Sequence, residues 1–189
     1  GRQVVFPFLY PPGALALFIP LTWVPLATAE GIWLGAKLVM AVALIAVWRS
    51  RFARGATFPT LLVVAVFGFN AAMLWDLETG NVSIVEQLLL WSGFACLMSG
   101  KRWAFALLVA LSSIFKLLPI VFLGLLFLPS SRPQRRLGPL LTGLALFAAI
   151  VALPSALGLD WARGFHFHAP ADRPFGETNP GALGLFDSI

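Results

Sequence analysis

Charge is scarce in this chain. Asp, Glu, Lys and Arg together make up 11% of its 189 residues, whereas 59% are hydrophobic and the mean hydropathy is +0.89. A soluble domain cannot hide that much apolar surface, so an ordinary globular protein is excluded and a polytopic membrane protein is expected. Cysteine is nearly absent. Cys96 stands alone in an apolar stretch, which rules out a disulfide or zinc–thiolate framework within the chain. Internal repeats and low-complexity tracts are lacking as well. The net charge of +5 does not suggest nucleic acid as a partner. The basic residues gather in short loops between apolar runs, as the positive-inside bias of membrane proteins produces. No initiator methionine or signal-peptide pattern opens the chain at Gly1, and Phe186-Asp187-Ser188-Ile189 does not read as a terminus. An internal fragment of a longer protein is therefore expected.

What the chain has in abundance is long apolar segments, at 13–28, 31–48, 58–75, 84–99, 103–128 and 137–157. A spanning helix needs about 20 apolar residues. Most segments qualify, and 84–99 is short. The expected fold is all-α, a polytopic transmembrane helical bundle. Residues 1–157 would form its core. Residues 158–189, rich in Gly, Pro, His and Asp, would form an extracytoplasmic polar loop leading to a further helix.

One segment does not fit an upright span. From Trp103 to Leu128 the chain is apolar except for Lys116, and Pro119 follows three residues later. As a single helix this run would be about 39 Å long, against a hydrocarbon core of about 30 Å. A basic residue at bilayer depth costs about 2.5–3.5 kcal/mol and usually faces a cavity or a partner. The proline frees a backbone carbonyl that something polar must satisfy. Charge decides how the run is laid out. Basic clusters lie at Arg49/Arg51/Arg54, Lys101/Arg102 and Arg132/Arg135/Arg136. Acidic residues lie at Asp76/Glu78/Glu86 and Asp160/Asp172/Glu177/Asp187. A re-entrant or broken helical hairpin at 103–128 puts all three basic clusters on one face and both acidic stretches on the other. A single tilted span splits the basic clusters. The positive-inside rule favours the hairpin, with Lys116 at its tip, deep in the protein and facing the acidic side.

Four places could carry chemistry. Ser112, Ser113, Lys116 and Pro119 form the strongest cluster. The ammonium suits an anionic group such as a phosphate, as a mobile point charge does; the plainer reading is snorkelling to an interface. Gly80-Asn81-Val82-Ser83 links two apolar segments, with Glu86 and Gln87 one turn further on. These are either polar groups just inside the membrane edge or helix caps, with Asn81 or Ser83 at the N-cap and Glu86 completing a capping box. Tyr10-Pro11-Pro12 is either a helix start or a rigid corner at the membrane surface. His166-Phe167-His168 lies near Asp160, Asp172 and Glu177. On an extended chain the two histidines point the same way and could share a polar substrate. Spacing alone does not establish a metal site there, and the plainer reading is a surface loop anchored by Trp161.

Three of these places line up with a known family. Tyr10-Pro11-Pro12 is followed by Pro20-Leu21 and Pro25-Leu26, then Ala29 and Trp33. Lys116-Leu117-Leu118-Pro119 gives Lys-x-x-Pro inside an apolar run, and the basic loop Arg132–Arg136 follows. In this order the motifs resemble the polyprenyl-phosphate-sugar-dependent glycosyltransferases of the GT-C superfamily, especially the bacterial family 87 mannosyltransferase-like proteins. The third place matches in part, and so does one further motif. The family's Gly-Gln-x-Asn turn reads Gly80-Asn81-Val82-Ser83 here, and its Asn-x-Ser stretch reads Asn179-Pro180-Gly181.

The resemblance implies a multi-pass enzyme of the bacterial plasma membrane. Such an enzyme would move a mannose-like hexose from a polyprenyl-phosphate donor to an extracytoplasmic glycolipid or glycan acceptor, inverting the anomeric centre. No cofactor and no metal are implied. The family's catalytic aspartate lies upstream of Tyr-Pro-Pro, in a loop this sequence does not contain, so no catalytic residue is assigned. Lys116, Tyr10, Asn81, Glu86, His166, His168 and Asn179 are the candidate substrate-binding residues. A membrane transporter or flippase accommodates an intramembrane lysine and broken helices equally well, and a non-catalytic membrane subunit is a third reading. The family places Tyr-Pro-Pro outside. Two full spans between Pro12 and Arg49 would place it inside, and the two expectations conflict.

Overall fold

The computed structural model describes residues 14, 17–65, 81–127 and 134–156, with backbone only for 134–136 and 153–155. Within them every regular element is helical and no strand occurs. In chain order these are a 3-10 helix Ile19–Trp23, α1 Leu26–Arg51, a helical stretch at 58–65, α2 Ser83–Met98, α3 Arg102–Ser112, a 3-10 helix Leu118–Phe127 and α4 Gln134–Ala156. The 158–189 loop lies outside the described residues.

α1 is the helix among them that is long and apolar enough to cross a membrane; only 11% of its apolar window is buried inside the protein. Its sides present Leu34, Leu38, Val39 and Val42 outward, as a helix facing lipid would. Pro25 stands at its N-cap and Arg49 and Arg51 lie in its last turn, where cations complement the helix dipole.

The expected first span, 13–28, does not form as such. Pro20 starts a 3-10 helix at Ile19–Trp23, and Pro25 ends that piece and starts α1. Proline lacks the N–H that a continuous ladder needs at both places. One long helix, not two, therefore separates Phe18 from Arg49. The lead-in to α1 therefore lies at the opposite end of that helix from Arg49, whereas Tyr10-Pro11-Pro12, on which the expected sidedness turned, lies outside the described residues.

α2 and α3 form a tight antiparallel pair. The Lys101 N–H reaches the Cys96 carbonyl at 2.9 Å and the Gly100 N–H reaches the Leu97 carbonyl at 2.9 Å. This is the Schellman pattern, and it puts its C′ residue in the left-handed region. Gly100 has φ +74°, where a Cβ is penalised. Gly100→Ala is expected to destabilise the protein by about 1–2 kcal/mol, read as a lower midpoint in denaturant with an unchanged slope. An unchanged midpoint would contradict this account of the turn.

The segment 103–128 is broken where Lys116 lies. α3 ends at Ser112, residues 113–117 turn, and a 3-10 helix takes over at Leu118. Pro119 explains the break. Its ring would clash with the carbonyl of Phe115 in a continuous helix, and it biases Leu118 away from the α region. The two arms then fold back on each other. Leu123 and Leu126 of the second arm share a buried cluster with Phe105, Ala106 and Val109 of the first, and Leu90 of α2 joins them.

α4 returns along the same bundle. Its Leu140 borders this cluster, and Ile150 borders a second one made of Val82, Ile114 and Phe115. α4 therefore starts near Lys101 and ends near Lys116. The hairpin brings the chain back towards the end it left. Among the described residues Arg49, Arg51, Arg54, Lys101 and Arg102 sit at one end, while Glu30 and Glu86 sit towards the other.

Candidate functional site

The site lies at the acidic end, where the hairpin turn meets the start of α2. Its floor is apolar. Val82, Ile114 and Phe115 are buried together with Ala14, and Phe18, Trp33, Val85 and Leu111 pack around them. Phe18 and Trp33 rings meet at 5.0 Å, tilted by 58°. The floor thus joins the lead-in to α1, α1 itself, α2 and the hairpin turn.

On this floor stands one ion pair. Lys116 Nζ lies 3.0 Å from Glu86 Oε2. The two partners are unequally placed: the Lys116 side chain is 49% exposed and the Glu86 side chain only 6%. Nζ also makes a long 3.4 Å hydrogen bond to Ser83 Oγ. Although Nζ is close to Oε2, it lies off the direction of a hydrogen bond to it, and that buried oxygen has no hydrogen-bonding partner among the described residues. The attraction is therefore Coulombic, and Oε2 retains acceptor capacity. Ser112 supplies the second tie, its fully buried hydroxyl donating to the Glu86 backbone carbonyl at 3.2 Å. Ser113 turns inward and donates to the Val109 carbonyl at 2.7 Å, closing the last turn of α3. In lipid, helices gain little from apolar burial because the tails are equally apolar, and polar links between helices matter more. These links fasten the hairpin turn to α2.

Two expectations are corrected by this geometry. Ser83 and Glu86 do not form a capping box. Val82 is the N-cap of α2, with no side-chain cap. The Glu86 carboxylate is drawn outward to the ammonium, and Ser83 Oγ accepts from Lys116 rather than from the backbone. Lys116 is also less deep than expected. It lies level with the first turn of α2, half in the open, because the turn at 113–117 comes only after the whole of α3 has been traversed. It does face the acidic side. Asn81 has a local role: its Oδ1 accepts the Val82 N–H at 2.8 Å, which shapes the approach to α2. Lys116, Glu86, Ser83 and Ser112 are thus brought together, and Asn81 adjoins them. Tyr10, His166, His168 and Asn179 lie outside the described residues.

Sequence reasoning missed Lys37. It lies in the middle of α1, its residue 0% exposed, with Nζ 5.9 Å from the centroid of the Trp33 ring. That distance is at the outer limit of a cation–π contact. Trp33 in turn packs on the floor of the site. The signal was available, because a lysine inside the apolar run 31–48 meets the same criterion that singled out Lys116.

The arrangement is a half-exposed ammonium, held by a buried carboxylate, at a break in an apolar helix. It can receive an anion on its open side while the protein keeps the cation in place. Residues 8–176, most of the chain, match the sequence model of glycosyltransferase family 87. No curated protein and no solved structure gives a match.

Proposed function

Starting from a chain that belongs to glycosyltransferase family 87 and is accordingly a glycosyltransferase, we propose that it uses a polyprenyl-phosphate-linked sugar as donor and that Lys116 contacts the donor phosphate. The observation that carries this reading is the half-exposed Lys116 ammonium at the broken hairpin, anchored to buried Glu86. An acceptor hydroxyl attacks the anomeric carbon and its proton passes to a general base. The bond from that carbon to the phosphate oxygen breaks, and polyprenyl phosphate leaves. Negative charge grows on the phosphate as it departs, and a pre-placed cation stabilises it. Lys116 is that cation.

In this reading the enzyme is a multi-pass protein of a bacterial plasma membrane. Its basic end is cytoplasmic, following the positive-inside rule, and the site faces the extracytoplasmic side, where a glycolipid or glycan acceptor receives a mannose-like hexose. Tyr10 and the polar stretch 158–189, with His166, His168 and Asn179, contribute to donor or acceptor binding. Family membership favours sugar transfer over a transporter or a non-catalytic subunit.

The test is a transfer assay with the full-length protein in membranes. Radiolabelled sugar is supplied either on polyprenyl phosphate or on a nucleotide, with lipid-linked synthesis from the nucleotide blocked. Transfer from the lipid-linked donor alone is expected. Equal transfer from the nucleotide sugar under the block would refute the donor assignment.

A further inference from the structure

The opposite end of the bundle from Lys116 carries a place of its own, outside the site proposed for transfer. A cleft of about 700 Å³ lies where the first turn of α3 meets the first turns of α4, lined by Lys101, Arg102, Trp103, Gly138 and Pro139 among others. Its shape depends on a missing side chain. A Cβ at Gly138 would stand 3.1 Å from the Trp103 ring, so the indole lies directly over the α4 backbone as one wall. Trp103 is nevertheless 55% exposed.

The surroundings say what would fill it. The cleft stands towards the same end as Arg49, Arg51 and Arg54, and among the described residues no acidic side chain lines it. At the end of α1, Trp48 and Phe52 meet Trp91 edge to face at 5.8 and 5.0 Å. Tryptophan beside basic residues, as Trp103 stands beside Lys101 and Arg102, on helices whose flanks are apolar and exposed, marks the plane of lipid head groups. The polar wall of the cleft is cationic and its aromatic wall can lie along an acyl chain or glycerol. We infer that this cleft is a binding site for the phosphate head group of an anionic phospholipid of the cytoplasmic leaflet, separate from the donor site at the other end. Lys101 and Arg102 hold the phosphate, and Trp103 over Gly138 sets the depth to which the head group enters.

The site is tested with full-length protein in detergent by native mass spectrometry, titrating phosphatidylglycerol against phosphatidylcholine. The wild type is expected to retain phosphatidylglycerol about tenfold or more in preference, from two cations each contributing about fivefold near a membrane surface. Lys101→Ala is expected to weaken that binding about fivefold. Arg51→Ala removes one charge at the same end but outside the cleft, and is expected to change it by less than about twofold. Gly138→Leu fills the cleft without altering charge and is expected to weaken binding at least as much as Lys101→Ala. Equal losses for Lys101→Ala and Arg51→Ala, or no loss for Gly138→Leu, would mean diffuse surface charge and overturn the site. Displacement of phosphatidylglycerol by millimolar inorganic phosphate would make free phosphate the ligand and overturn the lipid assignment. None of these readouts depends on sugar transfer.

Discussion

Lys116→Ala is expected to reduce sugar transfer by about 10²–10³-fold, the usual cost of removing one group that stabilises developing negative charge. The loss should fall on turnover more than on donor binding. The ammonium's interaction strengthens as the phosphate departs, and a contact that is stronger in the transition state raises kcat rather than lowering KM. The protein should still insert in the membrane, because Lys116 is half-exposed and lies outside the clusters that pack α3 against α2 and α4. Lys116→Arg keeps the charge but replaces a point charge with a planar fork, so a partial recovery of rate is expected. The measurement is single-turnover transfer by membranes containing matched amounts of each variant. Wild-type rates in Lys116→Ala would remove Lys116 from the reaction.

The second large effect separates structure from chemistry at the same pair. In Lys116→Ala the Glu86 carboxylate remains, 6% exposed, with its cation gone. A buried charged group stripped of its partner costs free energy. Because the lost partner was itself half in solvent, the penalty is expected to be about 1–3 kcal/mol, the range for one unsatisfied buried polar group, rather than that of a fully buried pair. Adding Glu86→Gln to Lys116→Ala removes the stranded charge while keeping the side chain's shape. The double variant is therefore expected to recover most of the lost stability and none of the lost transfer. Glu86→Gln alone should lower transfer while leaving Lys116 free to move, since the carboxylate is what holds the ammonium in place. Thermal unfolding in detergent, measured beside transfer for all four proteins, forms a double-mutant cycle. Additive stabilities would mean that the two side chains are not coupled in the membrane protein, and recovery of transfer in the double variant would contradict the role of Lys116.

How the pair forms explains why Glu86 was only partly legible. A glutamate three residues after a serine at a helix start is the pattern of a capping box, and nothing local argues against it. The competing partner is supplied from 30 positions further along, by a lysine whose own placement depends on the turn after α3. Asn81 was legible in the simpler sense, since its type at a helix approach predicts the backbone contact it makes. Ser112 could be marked as polar in an apolar run, but its acceptor, the Glu86 carbonyl, depends on how closely α3 lies on α2. Lys37 was overlooked, although the rule that picks out Lys116 applies to it without change.

The chain's own residues determined that it is apolar and helical, and that 103–128 breaks at Lys116. Proline at 119 forbids a continuous helix by sterics that act within one turn. They also favoured a break that returns the chain to the end it left, because the basic clusters then share one face. Tertiary structure decided where the lysine at the break is held. A lysine at a helix end could snorkel to an interface, bind an anion or do neither. The packing of the hairpin turn on Val82 and α1 is what brings its ammonium to 3.0 Å from a buried carboxylate and leaves its other side open. The physical reason is range. Sterics and hydropathy act between neighbours in sequence, whereas a charge at half exposure is stabilised by whichever opposite charge the folded helices bring within a few ångströms.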